Sequence, residues 1–208
     1  MSSSKNSGLN LPVKPLLIIL SGLSGAGKDS VLNELKKFAQ PPETIITVTT
    51  RPRRHNEKDG VHYTFVSPEK FQAMIDAGQM LEWATVYGNR YGAPREPVKK
   101  ALESGKDVII KVDVQGAATY KKIVPQAVFI FLMPPSIEDC APRLKERRTE
   151  SPAELELRLE TARKEMEMLH IFDYIVINRH NELDKAAAEI MAIIAAEKCR
   201  VKPREIVL

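Results

Sequence analysis

The sequence predicts an α/β fold in which a parallel β-sheet is flanked by helices. The continuous apolar run at residues 16–20 is typical of a strand that is buried on both faces, and residues 108–112 and 127–132 are further apolar strand candidates. Segments with helical spacing lie between these runs, and such alternation favours a parallel sheet. A chain of 208 residues is long enough to bury the core of one such domain without disulfides.

The N-terminal part contains one strand–helix unit followed by a less regular region. The apolar run 16–20 leads through a glycine-rich stretch into residues 30–39, whose apolar side chains have helical spacing until two prolines end the helix. Residues 45–48 are strand-like. The polar and charged residues 49–60 predict a surface loop.

The next segment alternates shorter elements. Residues 62–66 have the alternation of a strand, and Ser67-Pro68 provides the cap and first-turn proline that open a short helix. Residues 81–87 predict another strand, which a turn at Gly88-Asn89 follows. Residues 96–103 then predict a helix.

The C-terminal half returns to a regular alternation. A helix around residues 117–122 separates its two apolar runs, and Pro142 should kink the helix predicted at 137–147 or end its first segment. The remaining predicted elements are a long charged helix at 151–170 that opens with a capping-box pattern, a strand at 174–177 and an amphipathic helix at 182–198.

The breaks in this alternation predict the domain organisation. Residues 1–14 are expected to be a flexible polar leader, and residues 15–208 a single domain. The core of the domain is predicted to comprise residues 15–44 and 94–208, with residues 45–93 inserted between them.

Composition narrows the class of protein. No apolar run approaches the roughly 20 residues that cross a bilayer, and no signal-like stretch is found at the start, so we expect a cytoplasmic protein without a membrane partner. Cys140 and Cys199 lie far apart without zinc-site spacing, which favours free thiols. The net charge of +4 could indicate nucleic-acid binding, but the basic residues are mostly interleaved with acidic ones.

One glycine-rich motif indicates a nucleotide triphosphate. It follows the first apolar run and precedes an amphipathic helix, so its backbone N–H groups can curl around phosphate oxygens at a helix N-terminus. Lys28 would reach the β- and γ-phosphates. The motif fits the P-loop pattern up to its lysine and consists of Gly22, Leu23, Ser24, Gly25, Ala26, Gly27 and Lys28.

A second motif indicates another phosphate. The sequence TVTTRPRR, residues 47–54, has three arginines and three hydroxyls in eight residues. Arginine forks match a dianionic phosphate well. A protein with both motifs is expected to move a phosphoryl group between two phosphorylated ligands.

Together these motifs resemble the guanylate kinase family over residues 16–198. The matching stretches are TVTTRPRR, DGVHYTFVSPEKF (59–71), EWATVYGNRYG (82–92), VDVQG (112–116) and PPSIEDCAPRLKERR (134–148). The resemblance implies a P-loop NTPase-type sheet with an inserted nucleoside-monophosphate-binding subdomain and a helical lid at about 143–165. It also implies transfer of the γ-phosphoryl group of ATP, with Mg²⁺, to GMP, giving ADP and GDP.

The resemblance assigns roles to individual residues. Glu82 would accept hydrogen bonds from guanine N1–H and N2–H, which adenine cannot offer. The arginines of the lid and core would neutralise charge on the transferring phosphoryl group. The GMP-binding residues are Thr47, Arg51, Arg54, Tyr63, Glu82, Tyr91 and Asp113; the catalytic residues are Lys28, Arg143, Arg147 and Arg158. The ATP-binding set is the P-loop with Asp29, Ser30 and, near adenine, Asn178.

Three positions depart from the family pattern. Asp29 follows the P-loop lysine where a serine or threonine usually ligates Mg²⁺, so Asp29 or Ser30 is the expected metal ligand. Lys111 replaces one acid of an acid–x–acid pattern that ends at Asp113, and we hypothesise that Asp29 relocates that carboxylate. Ala93 replaces a hydroxyl that commonly meets guanine O6, which should loosen guanine preference.

Two other functions remain open from the sequence. The Gly-Lys-Asp-Ser ending also resembles ribose 1,5-bisphosphate kinase, which would not need Glu82, Tyr91 or the complete arginine motif. A catalytically weak guanylate-kinase-like binding module is the second alternative, although such modules typically lose the P-loop lysine. We expect nucleotides as the partners, no nucleic acid, and a monomer or small homo-oligomer.

Overall fold

The structure is a computed structural model that describes residues 14–55, 57–86, 88–136, 139 and 152–208, with side chains of the long charged helix described from Glu160 onward. The predicted leader up to residue 13, the helix predicted at 137–147 and Cys140 lie outside the described residues.

The core is a five-stranded sheet in which all neighbouring strands are parallel. The first strand of the chain is central in this sheet, and its partners on both sides come from the second half of the chain. In spatial order the strands are β2 (Glu43–Ile45), β7 (Val108–Lys111), β1 (Leu17–Gly22), β8 (Val128–Met133) and β9 (Tyr174–Ile177), numbered along the chain.

Helices cover both faces of this sheet because side chains along a strand alternate in direction. Ile18 and Leu20 of β1 pack in one apolar cluster with α1 (Lys28–Leu35) and α6 (Leu183–Lys198). Leu17 and Ile19 pack on the other face with α3 (Arg95–Glu103) and α4 (Val114–Ile123). Burial on both faces explains why the run is continuously apolar.

A second sheet of four short strands lies in the middle of the sequence. Its spatial order is β4 (Thr64–Phe65), β3 (Val48–Thr49), β6 (Asn89–Pro94) and β5 (Met80–Val86). The strands β5 and β6 form an antiparallel hairpin, and β3 pairs with β6. The helix α2 (Pro68–Asp76), which Ser67 caps, contributes the fully buried Phe71 to a small cluster with Val48 and Met80.

The long charged helix α5 (Pro152–Glu167) continues into a 3₁₀ turn, Met168–Ile171, before β9. None of the helices in the described ranges is long and apolar enough to cross a membrane.

The predicted fold class is confirmed, but several local predictions were wrong: the helix predicted at 30–39 ends at Leu35, and the strand predicted at 62–66 covers only Thr64–Phe65. The strand predicted at 45–48 is two strands, because β2 ends at Ile45 in the core sheet and β3 begins at Val48 in the second sheet. Asn89, predicted in a turn, already belongs to β6, a strand that was not predicted. The helix predicted at 117–122 begins earlier, at Val114, because the Asp113 carboxylate caps it.

Candidate active site

A cavity of about 350 Å³ lies at the carboxyl ends of β1 and β7, facing the second sheet. Open α/β sheets bind ligands at this edge. Most of the predicted site residues line the cavity: Gly22, Ser24, Gly25, Gly27, Lys28, Asp29, Ser30, Thr47, Arg51, Arg54, Tyr63, Glu82, Tyr91 and Asp113.

The P-loop curls because its glycines adopt conformations that other residues avoid. Gly22, Gly25 and Gly27 have φ of 144°, 85° and 90°. A Cβ on Gly22 would lie 1.9 Å from the carbonyl oxygen of Leu132 in β8, so any side chain there would collide with backbone. Within the described part of the chain, no side chain caps the first turn of α1, which suits this helix end to a bound anion.

Lys28 is folded back onto this loop. Its Nζ donates to the carbonyl oxygens of Gly22 at 2.6 Å and Leu23 at 3.1 Å. Burial lowers the pKa of Lys28, while the nearby carboxylate of Glu165 acts in the opposite direction. Phosphate oxygens can therefore replace these two carbonyl oxygens and accept stronger, charge-assisted hydrogen bonds from the ammonium group.

Asp29 and Lys111, the two charged departures from the family pattern, form an ion pair. Lys111 Nζ lies 2.5 Å from Asp29 Oδ1. Burial acts to raise the pKa of Asp29, but the charge and hydrogen bond of Lys111 outweigh it, so that pKa lies below its usual value. Asp29 is therefore a carboxylate at neutral pH.

The arginine motif forms a clamp around a glutamate that sequence reasoning missed. Arg51 Nη2 donates to Glu57 Oε1 at 2.7 Å, and the backbone N–H of Arg54 donates to Glu57 Oε2 at 2.8 Å. Burial acts to raise the pKa of Glu57, but these hydrogen bonds bring it below its usual value. The ring of Tyr63 lies 5.6 Å from the Arg51 guanidinium and 5.9 Å from the Tyr91 ring.

The second sheet contributes a buried carboxyl group to the cavity. Glu82 in β5 is 6% exposed, and its Oε1 has no hydrogen-bond partner among the described residues. Burial, with a contribution from the negative charge of Asp113, raises the pKa of Glu82 to about 8. A Cβ on Gly116 would lie 3.3 Å from both Glu82 Oε1 and Asp113 Oδ1, so this glycine leaves room for the two carboxyl groups.

Asp113 lies between β7 and α4, close to Glu82. Its Oδ1 accepts a hydrogen bond from the backbone N–H of Gly116 at 2.6 Å, which fixes the side chain at the start of α4. Burial raises the pKa of Asp113, although this hydrogen bond and Lys28 act in the opposite direction.

Glu165 of α5 is a second carboxyl group that sequence reasoning missed, because it lies in a helix rich in charged residues. It lines the cavity close to Lys28. Burial raises its pKa, while Lys28 and the backbone of Ser24 oppose that shift. Its Oε2 is buried and has no partner in the described ranges.

The other predicted residues lie elsewhere. Leu23 and Ala26 are fully buried behind the loop. Asn178, expected near adenine, is buried and donates through Nδ2 to the carbonyl oxygen of Ala26 at 2.8 Å, so it contacts the P-loop itself. Arg143, Arg147 and the side chain of Arg158 lie outside the described residues.

Mg²⁺, which the family implies, is compatible with the donors present. Asp29 and Ser30 both line the cavity and offer the hard oxygen ligands that Mg²⁺ prefers. The described residues contain no cluster of three or more His, Cys, Asp or Glu side chains that would hold a metal ion by themselves. Kinases usually complete the coordination of Mg²⁺ with substrate phosphates and water, so one or two protein ligands suffice.

Solved structures support the same fold. The structure of guanylate kinase from Anaplasma phagocytophilum is 28% identical, covers 91% of this chain and 88% of its own, and has a TM-score of 0.70. Shikimate kinase from Acinetobacter baumannii is 14% identical, with coverages of 90% and 97% and a TM-score of 0.50, which shows a shared fold alone.

Sequence comparisons identify the family. The family described as guanylate kinase matches residues 14–197. The guanylate kinase of Desulfitobacterium hafniense is 44% identical over 187 residues, which cover 90% of this chain and 92% of that protein. The guanylate kinase of Caldanaerobacter subterraneus subsp. tengcongensis is 43% identical over 193 residues, with 93% of each chain covered. The predicted resemblance is confirmed, and the chain belongs to the guanylate kinase family.

Proposed function

We propose that this protein transfers the γ-phosphoryl group of MgATP to GMP, giving ADP and GDP. The observation that carries the proposal is that one cavity combines the P-loop, the arginine clamp and the buried carboxyl group of Glu82. These three features suit a triphosphate, a monophosphate and a base with adjacent N–H donors, respectively.

The donor binds at the P-loop. Backbone N–H groups of the loop and of the first turn of α1 surround the β- and γ-phosphates, and Lys28 exchanges its two carbonyl partners for phosphate oxygens. Asp29 and Ser30 would hold Mg²⁺, which offsets phosphate charge when it is bound. Asn178 supports the loop by holding the carbonyl group of Ala26.

The acceptor binds between the clamp and the second sheet. Arg51 and Arg54 exchange Glu57 for the GMP phosphate, with the hydroxyls of Tyr63 and Tyr91 as additional donors. Glu82 accepts from guanine N1–H and N2–H. Adenine presents an acceptor at N1 and would leave the buried Glu82 oxygen unpaired.

The transfer requires alignment and charge neutralisation, with no covalent protein intermediate. An oxygen of the GMP phosphate bonds to the γ-phosphorus of ATP as the bond from that phosphorus to the β,γ-bridging oxygen breaks, and the electron pair of that bond leaves with ADP. Lys28 and the arginines offset the charge on the transferred group. We propose that Arg143, Arg147 and Arg158 act here, as the family resemblance implies.

Catalysis also requires the exclusion of water, because an open site would let ATP hydrolyse. We propose that residues 45–93 and a lid at about 143–165 close over the core after both nucleotides bind. All residues predicted for the acceptor site except Asp113 come from the first of these segments and line the cavity, which supports the role of that segment as the GMP-binding subdomain. We propose a monomer or small homo-oligomer, and a cytoplasmic location in keeping with the exposed free thiol of Cys199.

The test is ADP release from MgATP with GMP, dGMP, AMP, UMP and ribose 1,5-bisphosphate offered separately. Turnover with the guanine nucleotides alone is expected. Turnover with ribose 1,5-bisphosphate and not with GMP would overturn the proposal, and the absence of turnover with every acceptor would favour a binding module.

A further inference from the structure

Lys111 is a cation in the wall of the nucleotide cavity, at a position where the family often has an acid. It is the last residue of β7, is 9% exposed and lines the cavity. Its register partner in β1 is Leu20, two residues before the P-loop begins at Gly22. The ammonium group therefore lies at the ligand-binding edge of the sheet.

The two contacts of Lys111 come from opposite sides of the cavity. Its Nζ lies 2.5 Å from Oδ1 of Asp29, which follows the P-loop lysine on the donor side. The same Nζ lies 4.1 Å from the ring centroid of Tyr63, which packs against Arg51 of the acceptor clamp. Lys111 thus occupies the junction between the site for ATP and the site for GMP.

The ion pair of Lys111 with Asp29 is only partly buried. The side chain of Lys111 is 9% exposed, whereas that of Asp29 is 53% exposed. A partly exposed ion pair usually contributes no more than about 1 kcal/mol to stability. Stability therefore gives little physical reason to place this pair in a cavity wall.

We propose that Lys111 binds the phosphoryl group in transit between ATP and GMP, with Asp29 and the Tyr63 ring positioning its ammonium group until the substrates arrive. This inference rests on the proposed function. Lys111 donates hydrogen bonds to the equatorial oxygens of the transferred group, where charge is spread in the transition state. Lys28 approaches that group from the donor side, and Lys111 from the junction with the acceptor.

The chain offers a matched control in Lys121. Its Nζ lies 4.2 Å from the ring centroid of Phe129 and 3.3 Å from Asp173, so it has the same kinds of contact as Lys111. Lys121 does not line the cavity described above. Lys121→Met removes a comparable ion pair and cation–π contact without touching the proposed site.

The experiment compares kcat and the Kd values of GMP and ADP for the wild type, Lys111→Met, Lys111→Arg and Lys121→Met. Neither GMP nor ADP contains the transferred group, so Lys111→Met should keep both Kd values and lose kcat on the order of 100-fold. Lys111→Arg should recover part of that loss, and Lys121→Met should have the kcat of the wild type. A wild-type kcat in Lys111→Met would overturn the inference, whereas a wild type without GMP-dependent ADP release would instead refute the proposed function.

A double-mutant cycle tests the positioning role of Asp29. Asp29→Asn removes the charge that holds the Lys111 ammonium group and should lower kcat when Lys111 is present. In the Lys111→Met background the same substitution should have little further effect on kcat. Equal losses of kcat in the two backgrounds would show that Asp29 does not act through Lys111.

Discussion

GMP affinity should depend steeply on pH because Glu82 must lose a proton before it can accept two hydrogen bonds from guanine. Its pKa of about 8 in the free protein means that about a tenth of the molecules carry the carboxylate at pH 7, and about a hundredth at pH 6. Apparent affinity scales with the binding-competent fraction. GMP should therefore bind about tenfold more tightly at pH 7 than at pH 6 and about fivefold more tightly at pH 8 than at pH 7, with little further gain well above pH 8.

Calorimetry in two buffers with different ionisation enthalpies measures both the affinity and the protons exchanged. At pH 7 close to one proton should leave Glu82 for each GMP bound. ADP is the control ligand, since its phosphates also titrate but its site does not use Glu82. Parallel pH profiles for the affinities of GMP and ADP would refute the assignment of Glu82 to the base. The assignment would also be refuted if GMP binding at pH 7 released no more protons than ADP binding.

The same pKa shift has a consequence for stability. A carboxyl group whose pKa is higher in the folded state than in the unfolded state binds more protons when folded, so stability falls as the pH rises between the two values. Glu82 should therefore lower the free energy of unfolding by up to about 1.4 kcal/mol per pH unit between its usual pKa of 4.5 and about 8. Urea unfolding of wild type and Glu82→Gln at several pH values measures this slope, which should be shallower in the variant.

Three further predictions concern other parts of the site. Glu57→Gln should weaken the contacts that the GMP phosphate displaces from Arg51 and Arg54 and so lower the KM for GMP by up to about tenfold, the effect of about 1.4 kcal/mol, with the KM for ATP unchanged; an unchanged or higher KM for GMP in steady-state assays would contradict this. Gly22→Ala should cost about 3 kcal/mol or more by calorimetric unfolding, because its Cβ would meet Leu132, whereas Gly105→Ala, with open space around it, should cost only about 1–2 kcal/mol. Ala93 is fully buried in the apolar cluster with Leu81 and Val98 and does not line the cavity, so Ala93→Ser should leave the ratio of kcat/KM for GMP over AMP unchanged; a several-fold rise in that ratio would instead indicate that a hydroxyl here reaches guanine O6.

Local patterns in the sequence were sufficient to predict the core. The apolar run, the glycine-rich loop from Gly22 to Lys28 and the amphipathic helix follow one another directly in the sequence. A phosphate-binding loop between a strand and a helix could therefore be predicted without knowledge of the fold. The second sheet was harder to predict. β6 contains Gly92 and Pro94, which have low strand propensity, and it forms because β5 and β3 offer it partners on both sides.

Long-range contacts in the site could not be predicted from local patterns. Asp29 and Lys111 were each recognised as unusual, yet they are 82 residues apart, and only the register of β7 on β1 brings them together. Glu165 was missed for the same reason, because it lies far along the chain from Lys28. Glu57 is only six residues from Arg51 and three from Arg54, and it was missed because other charged residues surround it in the loop. A glutamate in a charged loop or helix has no local feature to distinguish it until the fold places it beside an arginine or lysine.

The central position of β1 has a consequence for how this protein is made. Leu17 pairs with Val108 on one side, and Ile18 pairs with Val128 on the other, so β1 has no partner strand in the core sheet until another 91 residues have been synthesised. At roughly 5–20 residues per second, that interval lasts about 5 to 20 s. During that time the most apolar strand of the nascent chain has nothing to pair with, which makes it the segment that a cell must protect from aggregation until translation reaches its partners.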